Sequence, residues 1–235
     1  MNPLRLAVIG GGVIGSKHAE LIFNYQGIEL VGISDVDDNV KAIAQRYQVG
    51  FYNKLEELLV AEKPDGVIIA VPNSHHEPVA RVCAKYKVHM LIEKPLAASM
   101  VSAERIKEIA KSEKVHVLIG HHRRHSSLVK RTKNLISDDS FGRLIGVSML
   151  WALYKPDDYF AVNWKKEKPG GGPLLINLIH ELDLLRYLCG EIVEVYGKTS
   201  SSTRQFEVED SIVISLAFES GAVGNIFASD SSPSP

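Results

Sequence analysis

Cysteine is nearly absent: the 235 residues contain two, Cys83 and Cys189, far apart and without CxxC or zinc-type spacing. That scarcity excludes a disulfide-stapled scaffold and a structural zinc knot. Both cysteines lie in apolar, helix-like runs and read as buried free thiols in a reducing cytoplasm. No stretch is apolar for long enough to span a bilayer. The first ten residues carry Arg5 but neither a long apolar run nor a cleavage-site signature. The expected location is therefore the cytoplasm, with no membrane partner. An excess of one charge sign is missing too. The net charge is -1 and no block of Lys or Arg dominates, which leaves no electrostatic footprint for nucleic acid or anionic lipid. A small neutral or weakly charged ligand fits better, and 45% hydrophobic content suffices to bury one or two cores.

What is present is alternation. Short apolar runs separated by amphipathic ones mark β-α-β units of a doubly wound parallel sheet through the first half. The pattern predicts strands over residues 5–9, 29–34, 66–70, 89–92 and 116–119, with helices over 14–23, 40–47, 55–61, 78–85 and 103–111. In the last helix Ala103, Ile106, Ile109 and Ala110 recur at spacings of three and four, which gives it one packing face. The pattern changes after Gly120. Helices are expected over 126–136 and 178–188 and strands over 144–151, 192–199, 211–218 and 222–228, with Glu219-Ser220-Gly221 closing a hairpin. Residues 154–172 are irregular and rich in Pro, Gly, Lys and aromatics, a loop long enough to suggest function. The organisation expected is an α/β domain over 1–120 and an α+β domain over 121–235 with an open, mostly antiparallel sheet. The polar, Pro-rich segment 229–235 follows a strand with few partners, so the second domain reads as truncated.

Gly10-Gly11-Gly12-Val13-Ile14-Gly15 matches GxGxxG directly after a strand and at the start of an amphipathic helix, the context that gives this pattern meaning. The glycines permit a tight turn and close backbone approach, so a pyrophosphate can sit against free N–H groups where Val13 and Ile14 begin the helix. This is the fingerprint of a Rossmann domain. Asp35 closes the second strand at the separation suited to accepting hydrogen bonds from adenosine ribose hydroxyls. A carboxylate there repels a 2'-phosphate, and Asp37 and Asp38 follow it rather than Arg, so the expected cofactor is NAD rather than NADP. Asp37 or Asp38 is the better cap for the next helix.

Val71-Pro72-Asn73 and Glu93-Lys94-Pro95 each follow a strand at its carboxyl end, where ligands gather in an open parallel sheet. A lysine there can donate a hydrogen bond to a substrate oxygen and stabilise alkoxide character as hydride moves. The plainer alternative for Glu93-Lys94 is a surface ion pair. Of nine histidines, His75, His76, His121, His122 and His125 fall on irregular stretches without Asp, Glu or Cys at ligand spacing, so no metal is expected. His76 is expected to line the nicotinamide cleft.

In their order along the chain, GGGVIG, Asp35, Pro72-Asn73-x-x-His76, Glu93-Lys94-Pro95, Gly120-x-x-Arg123-Arg124 and Gly170-Gly171-Gly172 through His180-x-x-Asp183 make a set that resembles the glucose-fructose oxidoreductase and inositol dehydrogenase family (Gfo/Idh/MocA) over its full length. The resemblance implies a Rossmann domain paired with an α/β domain whose open sheet lines the substrate cleft and often mediates homo-oligomers. It implies sugars, polyols or related ring alcohols and ketones as substrates. By position it makes Lys94 the lysine that orients the substrate hydroxyl, His180 the acid/base histidine, and Asp183 and Arg123 substrate contacts. Cofactor contacts are expected from Gly10, Gly12, Val13, Ile14, Gly15, Asp35, Pro72, Asn73, His76, Glu93 and Lys94. One departure stands out: inositol dehydrogenase relatives carry an aspartate four residues before the histidine, and here that position is Ile176, followed by Asn177. Either Asn177 and Asp183 substitute for it or the proton relay is impaired. The family also contains a non-catalytic galactose-pathway repressor, so a dinucleotide-binding sensor is the alternative, and an inactive truncated product a third.

Overall fold

The computed structural model, which describes residues 2–233, divides the chain into two compact units, Met1–Gly120 and His121–Pro235. In the first, strands β1 (Leu4–Ile9), β2 (Ile28–Ser34), β3 (Gly50–Tyr52), β4 (Gly66–Ile69), β5 (His89–Ile92) and β6 (Val117–Ile119) form one sheet of order β3-β2-β1-β4-β5-β6, with every pair parallel. Helices α1 (Val13–Asn24), α2 (Lys41–Arg46), α3 (Leu55–Glu62), α4 (His76–Lys85) and α5 (Met100–Glu113) connect them. Alternation along the strands sends side chains to both faces. Val8, Ile33 and Ile68 pack with Ala19 and Ile22 of α1 on one side. Ala7, Ile9, Val67 and Ile69 pack with Leu58, Ala80, Cys83 and Ile106 on the other. Each such side chain contributes about 1.5–3 kcal/mol by leaving water. Because the strand order reverses at β1 and β4, a crevice opens beyond their carboxyl ends.

The periodicity places five of these strands within a residue or two and misses β3. That strand has three residues at the sheet edge and pairs only with β2, too short for any alternation to register. Helix α5 begins earlier than its apolar repeat, because Ser99 caps it by accepting from the backbone N–H of Ser102 at 3.2 Å.

The second unit holds α6 (Ser127–Ile136), β7 (Gly146–Ala152), α7 (Ile179–Cys189), β8 (Ile192–Ser200), β9 (Ser211–Phe218) and β10 (Val223–Ser229). Its sheet runs β7-β10-β9-β8. The β8–β9 and β9–β10 pairs are antiparallel, but β10 and β7 are parallel, so the sheet is mixed. The long excursion between β7 and β10 supplies the crossover that a parallel pair needs. Inward residues Ile212, Ile214, Leu216 and Phe218 of β9 pack with Ile226 of β10 and with Leu178 and Leu185. On the opposite face Leu150, Tyr196, Val213 and Phe227 are exposed. The predicted hairpin turn is present, with Gly221 at φ +83° and its N–H bonded to the Phe218 carbonyl. The predicted helix over 178–188 is preceded by a π-helical turn, Leu174–Leu178. Cys83 is buried and Cys189 only partly so, and both are free. No helix among the described residues is long and apolar enough to cross a membrane.

Candidate functional site

The glycine loop joins β1 to α1. Gly10 has φ +89°, and a Cβ there would stand 2.7 Å from the backbone of Ala70, so only glycine allows the turn against β4. At Gly15 a Cβ would lie 1.7 Å from the Gly10 carbonyl oxygen, which explains the close seating of helix on strand. Gly12, the N-cap of α1, differs: a Cβ there would meet nothing within 4 Å. Its lack of a side chain serves no internal packing and leaves open space outside the helix start. Neither an acidic residue in the first turn nor a side-chain cap occupies the helix N-terminus, and Val13 and Ile14 are exposed there. These features suit a dinucleotide diphosphate. Beside them Asp35 accepts from the Gly11 N–H through Oδ2 at 2.6 Å and from the Asp37 N–H through Oδ1 at 2.9 Å. Asp37, in turn, caps the following 3-10 turn by accepting from Asn39 N–H at 3.0 Å, as expected of it.

Beyond β4, Pro72 and Asn73 open a short 3-10 turn that leads into α4. His76 does not line a cleft: it is fully buried. Its Nδ1 lies 3.0 Å from the Pro95 carbonyl and 3.2 Å from that of Leu96, and its Nε2 lies 2.9 Å from the Val71 carbonyl. Burial pushes its pKa down, against the opposing pull of those carbonyls and of Glu93. His76 therefore lies packed between the loops after β4 and β5, its two ring nitrogens facing carbonyls of both.

Glu93 and Lys94, beyond β5, are both half-buried. Glu93 Oε1 lies 2.8 Å from His18 Nε2, and Oε2 accepts from the Lys94 N–H at 3.2 Å. The carboxyl group comes within 3.1 Å of where a Cβ on Gly120 would stand, so Gly120 makes room for it. Burial alone would raise the Glu93 pKa; the His18 and Lys94 contacts outweigh it and hold the carboxyl below its usual range. This is an internal tie between α1 and the lysine loop rather than a surface ion pair.

In the second unit His180 lies buried in the first turn of α7. The rings of His122 and His121 stand edge-on to it, with centroids at 5.1 and 6.4 Å. Asp183, expected to touch substrate, is instead buried and committed to Arg124, whose Nε and Nη2 donate at 2.7 and 2.5 Å. His121 Nδ1 is 3.7 Å away from the same carboxylate. Arg123, expected on the substrate side, pairs with Glu181. Adjacent arginines thus meet carboxylates spaced two apart on α7, and charge pairing engages all four groups inside the unit.

Asn177, in the π-helical turn, accepts from the Lys155 Nζ at 2.8 Å. Lys155 is itself buried, its ammonium 3.8 Å from the centre of the Tyr159 ring. Ile176, Asn177, Lys155, Tyr159 and Lys165 line one small cavity. Burial pushes the Lys165 pKa down and that of Tyr159 up. The glycine run before it has a packing reason, since a Cβ on Gly171 would meet the Lys165 and Glu167 carbonyls at 2.6 and 2.7 Å. Among the described residues no group of three or more His, Cys, Asp or Glu is placed to hold a metal. Sequence reasoning missed His18 and Lys155. Each lies on the other side of a long-range contact, and only Lys155 carried a signal, its place within the irregular aromatic loop.

The first unit is thus a dinucleotide-binding domain by topology and loop geometry, followed by an α+β unit that carries a buried histidine. Residues 4–121 match the oxidoreductase family with NAD-binding Rossmann fold, and residues 129–235 match the GFO/IDH/MocA C-terminal domain. The chain belongs to the Gfo/Idh/MocA oxidoreductase family, as its motifs imply. It is 30% identical to a myo-inositol 2-dehydrogenase of Thermotoga maritima over 95% of this chain and 67% of that protein. It is 26% identical to a 2,7-anhydro-N-acetylneuraminate hydratase of Mediterraneibacter gnavus over 91% of this chain and 58% of that protein. The WlbA dehydrogenase of Bordetella pertussis, solved in complex with NADH and UDP-GlcNAcA, superimposes with a TM-score of 0.93 at 25% identity, covering 97% of this chain and 71% of that one. The chain spans 58 to 67% of the length of the two curated relatives.

Proposed function

We propose that this chain serves NAD-dependent hydride transfer to or from a sugar, a cyclic polyol or a related alcohol or ketone. One observation carries the reading. The glycine loop, Pro72-Asn73 and Glu93-Lys94 stand at the carboxyl ends of the adjacent parallel strands β1, β4 and β5, and Asp35 stands at the end of β2. In this reading Gly10, Gly12 and Gly15 shape the diphosphate seat, Val13 and Ile14 begin the helix that faces it, and Asp35 holds the adenosine ribose and disfavours NADP. Pro72, Asn73 and Glu93 complete the cofactor-side surface. Bound NAD supplies a nicotinamide ring that accepts or returns hydride.

Lys94 donates a hydrogen bond to the substrate oxygen, and His180, neutral, accepts the hydroxyl proton in the oxidative direction. Asn177, oriented by Lys155, contacts the substrate. Asp183 and Arg123 act through their ion pairs, shaping α7 rather than touching the reacting molecule. The relatives' names span inositol dehydrogenation and sugar-acid chemistry, which keeps the substrate class broad. The exposed apolar face of the second sheet is the surface through which copies of the chain would associate. The compartment proposed is the cytoplasm.

The test is turnover on a panel of inositols, aldoses and sugar lactones, read at the reduced nicotinamide band. Lys94→Ala and His180→Ala should each lower kcat by roughly 10²–10⁴-fold while leaving NADH affinity near that of the parent. A large affinity loss, or unchanged turnover, would remove that residue from its assigned role. Ile176 favours a second reading, a dinucleotide-binding sensor; NADH binding without turnover on any panel member would agree with it without singling it out, and turnover would remove it.

A further inference from the structure

The contacts around Glu93 converge in a way that the hydride-transfer reading leaves unused. Its backbone N–H extends the β4–β5 ladder by donating to the Ile69 carbonyl at 2.9 Å, so the residue is fixed at the strand end. From there its two carboxylate oxygens divide between two elements. One meets His18 of α1 and the other accepts from the backbone N–H of Lys94. Gly120, just after β6, leaves room for the carboxylate on the remaining side, since a Cβ there would stand only 3.1 Å from it. His18 is three residues beyond Gly15, on the helix whose first turn forms the dinucleotide seat. A single carboxylate therefore links α1 by hydrogen bonds to the peptide of Lys94. On its far side the same loop is tied by His76 to the carbonyls of Pro95 and Leu96. Lys94 thus sits between two imidazole anchors, and only the His18 anchor leads to the cofactor helix.

We propose that His18 is a positioning residue that, through Glu93, couples the dinucleotide-binding helix α1 to the backbone of Lys94, so that cofactor bound at the head of α1 sets the lysine for its substrate. The inference rests on the cofactor reading above. His18 touches neither cofactor nor substrate in this account. Its ring supplies a polar hydrogen to a half-buried carboxylate, and any side chain that delivers an N–H to the same place performs the same task. Glutamine does so, since its amide nitrogen lies about as far from Cβ as the imidazole Nε2. Leucine fills the volume without the hydrogen bond, and asparagine is too short to reach.

The experiment measures acylation of Lys94 by a trace amine reagent with and without saturating NADH, read by peptide mass spectrometry, with the exposed Lys107 as internal reference. NADH affinity is measured in parallel by fluorescence titration. In the parent, NADH should slow Lys94 acylation relative to Lys107. His18→Leu and His18→Asn should bind NADH within about threefold of the parent yet lose most of that protection, and His18→Gln should restore it. Equal protection in parent and His18→Leu would overturn the inference, as would failure of His18→Gln to rescue while NADH still binds. NADH binding to the parent without any protection of Lys94 would also overturn it and leave the cofactor reading standing. Failure of the parent to bind NADH would overturn both. If His18→Leu does not fold, His18→Asn and His18→Gln make the same comparison.

Discussion

Breaking the Arg124–Asp183 pair from each side should give unequal costs, and the inequality follows from burial. Asp183 is 8% exposed and accepts two short bonds from Arg124, with His121 Nδ1 also near, at 3.7 Å. Arg124→Ala strands that carboxylate, a loss in the range for a buried pair deprived of one partner, about 3 kcal/mol. Asp183→Ala leaves a guanidinium whose side chain is 38% exposed and lies over the Tyr187 ring, so water can replace the lost bonds; the cost should be about 1–2 kcal/mol. The double variant should fall short of the sum by about 1–2 kcal/mol. The assay is urea unfolding followed by tryptophan fluorescence, which isolates the second unit because both tryptophans, Trp151 and Trp164, lie in it. Asp183→Ala costing as much as Arg124→Ala, or strict additivity, would refute the assignment of Asp183 as an internal partner.

Two further expectations concern the first unit. Gly15→Ala drives a Cβ into the Gly10 carbonyl oxygen, a backbone atom, so it should destabilise the unit by about 2 kcal/mol or more and weaken NADH binding; thermal melts and titration check both, and a parent-like melt would contradict the packing. Glu93 has a folded pKa held below its unfolded value, so its contribution to stability is complete above the unfolded pKa and is lost as pH falls through the folded one. Melting temperature followed from pH 6 into acid should accordingly drop less steeply for Glu93→Gln than for the parent, and parallel curves would argue against the His18–Glu93 tie.

Much of the fold is legible because local rules and tertiary outcome coincide. Residues 5–9 and 66–70 are apolar runs that become central strands, and the glycine fingerprint needs only a strand before it and a helix after it. Asp37 could be named as a cap because its partner is two residues away. The rest depends on contacts with no local trace. The parallel pairing of β7 with β10 brings together residues more than seventy positions apart. Asp183 carries a family role by position, yet its commitment is decided by Arg124, 59 residues earlier. His76 reads as a cleft residue until its ring is found facing three carbonyls. Likewise His18 gives no signal, since its partner Glu93 is reached only once α1 packs beside β5's end.

That the Gly10–Gly15 loop with Asp35 forms an NAD site is checked by titrating the chain with NADH and NADPH and repeating both titrations for Asp35→Ser. The parent should bind NADH at least about tenfold more tightly than NADPH, and Asp35→Ser should weaken NADH and erase most of that preference. Equal affinities in the parent, or a preference untouched by Asp35→Ser, would contradict it.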